Sequence, residues 1–162
     1  MTTTFALYRA VCVALALLAS ATAWAQHVAP PGVDPGAFKP YSERSDVVSW
    51  RTFAQVDLVR MKDRYVPQFS DKVAALDKKE VRVQGFMIPL DASPQQRHFL
   101  ISAMPQTCMF CMPGGPESMV EVKTKQPVKY GFEPFVVSGR LAVLYDDPTG
   151  IFYRIVDAEL IK

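Results

Sequence analysis

From Glu80 to Ile161 the side chains alternate apolar and polar in one segment after another, and this period of two constrains the fold more than any other feature of the chain. A strand points successive side chains to opposite faces, so each alternating segment has one face for a core and one for water. Glu80-Val81-Arg82-Val83-Gln84-Gly85-Phe86 is the first segment, and Pro89 closes it because proline donates nothing to a sheet ladder. Arg97-His98-Phe99-Leu100-Ile101 is a second strand and Met119-Val120-Glu121-Val122-Lys123 a third. Phe135 to Tyr145 is a longer fourth, with Gly139 marking a bulge or sharp bend. Asp146-Asp147-Pro148-Thr149-Gly150 reads as a turn, and Ile151 to Ile161 returns as the fifth strand.

Five strands joined by hairpins and one long connection predict a mainly β domain, a small five-stranded OB-like barrel, closed or partly open. Its inward set is Val81, Val83, Phe99, Ile101, Val120, Val122, Val137, Leu141 and Ile155, the residues that share the apolar phase. Upstream, Phe69 to Leu76 reads as a short helix before the first strand, with Ser70 as its cap. Order begins near Ser49-Trp50. Residues 26–49, where Pro and Gly recur without an apolar period, form an extended lead-in, so residues 50–162 are expected to be a single OB-like β-barrel domain.

The N-terminus sets the compartment. Arg9 precedes the apolar run Val11 to Leu18, and Ala23-Trp24-Ala25 supplies the small residues that a signal peptidase reads. Residues 1–25 are therefore expected to be a cleaved signal peptide; the apolar run is far shorter than the ~20 residues of a spanning helix. An exported, periplasmic protein that does not span the membrane follows. Cleavage removes Cys12, so of three cysteines only Cys108 and Cys111 remain. The formal net charge of +2 for the whole chain offers no footprint for nucleic acid or an acidic membrane surface.

Those two thiols stand in Thr107-Cys108-Met109-Phe110-Cys111-Met112-Pro113-Gly114-Gly115-Pro116, in the connection between the second and third strands. Three uses compete. A thiol redox pair wants a helix start and a βαβ setting, and Pro113 with Gly114, Gly115 and Pro116 denies the first. A disulfide would form readily after export, although so short a ring removes little unfolded-state entropy. A metal would be gripped by both thiolates from one turn, with His98 approaching from the second strand. Zinc would then take Cys108, Cys111 and His98, with water, Glu117 or Glu121 as fourth ligand. Copper(I), the alternative, would draw on Met104, Met109 or Met112. The chain carries no G-x-S-x-G elbow, phosphate loop, H-E-x-x-H or dinucleotide fingerprint, and the expectation is a protein that is not an enzyme.

Trp50, Leu76-Asp77-Lys78-Lys79, Gly85-Phe86-Met87-Ile88-Pro89-Leu90, His98-Phe99-Leu100, Cys108-x-x-Cys111-x-Pro113-x-x-Pro116 and Gly139 together resemble a family of exported bacterial proteins of unknown function. The resemblance spans nearly the whole chain after the leader. It implies a periplasmic or lipid-anchored protein, and, since some members are encoded beside zinc-responsive ABC-type transport systems, a role in handling a transition metal with such a transporter or another periplasmic protein as partner. Lys78 departs from the family's frequent glycine, which predicts strain in that turn. A lipid-attachment cysteine is absent from the leader. The leading function is thus metal binding in transport or supply; a non-enzymatic interaction module with a Cys108–Cys111 disulfide is the alternative.

Overall fold

Ser49 and Ser70 each start a single helical turn by accepting a backbone N–H. Ser49 accepts from Arg51 ahead of α1 (Trp50–Phe53), and Ser70 from Val73 ahead of α2 (Asp71–Ala74). These elements belong to a computed structural model that describes residues 42–106 and 114–161. Between the two turns lies a hairpin that the alternation did not announce, β1 (Val56–Met61) and β2 (Arg64–Phe69), paired antiparallel from Val56–Phe69 to Met61–Arg64. Phe69 therefore ends a strand rather than opening the helix. The hairpin is mostly exposed, so no core imposes a period of two on it, and Pro67 is tolerated because both strands of a two-stranded sheet are edges.

The main sheet comprises β3 (Glu80–Pro89), β4 (Gln95–Ser102), β5 (Met119–Lys129), β6 (Phe135–Val143) and β7 (Tyr153–Ile161). It closes in the order β3-β4-β5-β7-β6, with β7 inserted between β5 and β6. Every neighbouring pair is antiparallel except β5 and β7, which run parallel. The result is a mainly β, closed five-stranded mixed barrel of the OB type, with short helices before its strands. All nine residues assigned inward are buried, and eight of them have no exposed surface.

Two aromatic residues seal one part of this core. Tyr153 donates its hydroxyl to the Phe53 carbonyl at 2.6 Å, and the two rings lie 4.7 Å apart between centroids. Burial, the larger cause, and the field of Glu117 push the Tyr153 phenol well above its ordinary value, so it stays a neutral donor. Phe69 packs against Tyr145, Phe152 and Tyr153, which ties the base of the hairpin to the barrel. The end of the lead-in runs beside β3, where Val48 donates to the Arg82 carbonyl at 2.8 Å and Trp50 Nε1 to the Gln84 carbonyl at 2.7 Å.

Two glycines bend the sheet. A Cβ at Gly85 would stand 2.4 Å from the Ser102 carbonyl oxygen, so only glycine lets β3 approach β4 this closely. At Gly139 the β6–β7 register slips between Ser138 and Arg140, and Asp157 on β7 takes a left-handed φ of 55°. Lys78 also adopts a left-handed φ, 61°, in the turn before β3.

Candidate metal centre

Strands β4 and β5 pair Leu100 with Glu121 and His98 with Lys123, and β7 sets Arg154 beside Glu121 from the other side. Since Phe99, Ile101, Val120, Val122, Tyr153 and Ile155 fill the interior, the alternation turns His98, Glu121 and Arg154 to one outer face. The same pair of strands ends at Ser102 and Met119, the described anchors of the cysteine-bearing connection. Beside the polar residues, Ile88, Leu100 and Met119 are buried together on this side, with Ile151 packed against them.

His98 Nε2 lies 2.6 Å from Glu121 Oε1. The imidazole is half exposed, whereas the Glu121 side chain retains only 9% of its surface. Arg154 binds the other Glu121 oxygen through Nε and reaches Asp147 Oδ2 through Nη2 at 3.0 Å, while Lys123 Nζ stands 3.7 Å from Glu121 Oε1. Asp147 also accepts from the Thr149 hydroxyl and from its backbone N–H, the latter at 2.9 Å.

The charges follow from these contacts. Burial, the largest influence on the Glu121 carboxyl, pushes it up, but the hydrogen bonds from Arg154 and His98 and the charges of Arg154 and Lys123 outweigh it and hold the group below its ordinary value. Thr149, chiefly through its hydroxyl, and then Arg154 hold Asp147 below the usual carboxylate range. Burial opposes the Arg154 charge, yet Glu121 and Asp147 together raise it. Glu121 is therefore an ionised acceptor with both oxygens engaged. An ionised carboxylate only accepts, so the short contact requires the hydrogen on His98 Nε2. Among the described residues, His98 Nδ1 makes no hydrogen bond.

A family model for DUF3299, a protein family of unknown function, matches residues 27–150. The chain belongs to the DUF3299 family. A crystal structure of a DUF3299 family protein from Pseudomonas aeruginosa PAO1 matches with a TM-score of 0.47 and 23% identity, over 59% of this chain and 68% of that one. No curated protein matches the sequence.

In this DUF3299 chain the residues expected to hold a metal are only partly described. Cys108, Cys111 and Met112 lie outside the described residues. Glu117 sits on a 3₁₀ turn (Pro116–Ser118) with its carboxylate folded towards Gly115, and Glu121 pairs with His98. Among the described residues, no three of His, Cys, Asp and Glu gather closely enough to hold an ion. Arg154 and Asp147 are the additions that sequence reasoning missed. Asp147 reads as a turn residue, and the partnership of Arg154 with Glu121 depends on β7 crossing to pair with β5, which local periodicity does not express.

Proposed function

We propose that this DUF3299 protein is an exported, periplasmic, non-enzymatic protein that binds a transition metal through Cys108, Cys111 and His98. Zinc is the first choice and copper the alternative. The protein serves as an accessory in metal transport or supply, with a metal ABC-type transporter or another periplasmic protein as its partner. The observation that carries this reading is the His98–Glu121 pair: a half-exposed imidazole with one nitrogen held at 2.6 Å by a buried carboxylate, on the two strands that lead into the cysteine connection. Ligating histidines characteristically give their second ring nitrogen to such an acceptor, which fixes ring and tautomer before the ion arrives.

Metal analysis of protein purified from its native compartment, with a count of free thiols after chelation, tests this reading. Stoichiometric zinc or copper that disappears in Cys108→Ser and weakens in His98→Ala is the expected result. Absence of metal, absence of free thiols and normal behaviour of His98→Ala would instead favour the interaction module closed by a Cys108–Cys111 disulfide.

A further inference from the structure

We propose that the open seam between β5 and β7 takes an extended peptide segment of another protein, one that alternates apolar and acidic side chains. Binding there needs no metal. The parallel ladder between the two strands holds three partner pairs, the last of them Thr124–Ala158, although β5 runs on to Lys129 and β7 to Ile161. Past that point Glu159, Leu160 and Ile161 pair with β6 on one side only, and a cavity of about 350 Å³ opens between the strands, lined by Val128, Lys129, Ala158 and Leu160 among others. Pro127, which has no N–H to give, blunts the β5 side, so the bare edge is that of β7. Leu160 marks where the wall is incomplete. It pairs with Val137, whose side chain is buried in the barrel, and cross-strand partners share a face, yet Leu160 is 45% exposed. A strand laid along β7 extends the ladder, sets every second side chain inward on Leu160, Val128 and Ala158, and turns the others to the rim.

The rim selects acid. The Lys125–Glu159 ion pair bridges the seam at 2.9 Å, and with both side chains more than half exposed it exchanges readily for another carboxylate. On the β7 side Asp157 is already paired with Arg140. On the β5 side Arg97 Nη1 donates to the Lys125 carbonyl at 2.9 Å, and Lys129 stands opposite Gln95. Among the described residues neither Arg97 nor Lys129 joins an ion pair, and two uncompensated cations beside a bare edge favour carboxylates at the outward positions of an incoming strand. The inner face has an opening of its own. Gln96 lies opposite Val128 and is fully buried, its amide nitrogen is held by the Asp91 and Ser93 oxygens, and its Oε1 has no hydrogen-bond partner among the described residues. Those three acceptors fix which end of the amide is nitrogen, so the acceptor left over is the oxygen, and a donor entering at this end of the barrel answers it.

Amide NMR of the full chain, titrated with a capped peptide of about six residues that alternates valine and glutamate, tests this. Saturable shifts should concentrate at Gln126, Val128, Lys129 and Ala158 to Ile161, and the Gln96 side-chain amide should move with them. Affinity should fall about tenfold as salt rises from about 0.05 M to about 0.5 M. The same peptide with lysine in place of glutamate should bind about tenfold more weakly, and the double variant Lys125→Glu, Lys129→Glu should reverse that preference. Absence of saturable shifts, shifts centred elsewhere, or equal binding of the two peptides would overturn the proposal. So would shifts at these residues with single-stranded oligothymidylate but not with the glutamate peptide, which would assign the rim to phosphate. The comparison of peptides on the unsubstituted protein stands even if the double variant fails to fold.

Discussion

Lys78 keeps a φ of 61° because its backbone N–H donates to the Leu141 carbonyl at 2.7 Å, while its neighbour Asp77 accepts the Val143 N–H at 3.0 Å. A side chain in the left-handed region costs about 1–2 kcal/mol, and glycine avoids that cost at the expense of a more flexible unfolded chain. Lys78→Gly should therefore raise the unfolding free energy by about 0.5–1 kcal/mol in urea denaturation. Tyr153→Phe should act in the opposite direction. It removes the only polar atom of a fully buried side chain and strands the Phe53 carbonyl, at a cost of about 1–3 kcal/mol in the same measurement. At this scale the sequence was a good guide where a residue answers to its own strand: the nine inward positions follow from alternation alone, and the glycine-like turn at Lys78 follows from the resemblance. It was silent on Arg154, whose role depends on a neighbour more than thirty positions away.

The strands themselves were legible because a closed barrel buries one face of each, which writes a period of two into the chain. β1 and β2 escaped that logic. Leu58, Met61 and Tyr65 are exposed, so the hairpin's residues carry no inside-outside code, and its pairing rests on the backbone ladder and the Phe69 anchor. Substitutions at its exposed positions, such as Leu58→Ser, should change stability by no more than about 0.5 kcal/mol. Gly85 offers the contrast. A methyl group there would meet the Ser102 carbonyl oxygen at 2.4 Å and the Ile101 side chain at 2.9 Å, and the first of these is backbone of a paired strand that yields only by moving β4. Gly85→Ala should lower stability by about 1–3 kcal/mol and, because β4 carries His98, loosen the His98–Glu121 contact as well. An unchanged denaturation midpoint and an unchanged His98 spectrum would contradict that coupling. The cysteine connection lies outside the described residues, and its C-x-x-C spacing is read from the sequence alone.

At the scale of the whole molecule, the carboxylates held below their ordinary values among the described residues are Asp46, Asp91, Glu121 and Asp147. Asp46 reaches about 2 from an ordinary 3.8, chiefly through its hydrogen bonds to Arg44 and Arg82. Groups depressed in the folded state stabilise it at pH values above their unfolded range, and that contribution disappears as the pH falls through the folded values. The thermal midpoint should thus hold from about pH 7 to about pH 5 and decline from about pH 4 towards pH 2. A midpoint that rises on acidification over that lower interval would contradict the depressed carboxylates. The same barrel that fixes these charges carries the proposed ion site, and X-ray absorption at the zinc edge, recorded on the stoichiometric zinc complex of the reduced protein, tests that site most directly. The account predicts two sulfur neighbours at about 2.3 Å with nitrogen and oxygen at about 2.0–2.2 Å, and loss of the sulfur shell in a Cys108→Ser, Cys111→Ser variant. A shell of oxygen and nitrogen alone in the unsubstituted protein, or no bound zinc to measure, would contradict it.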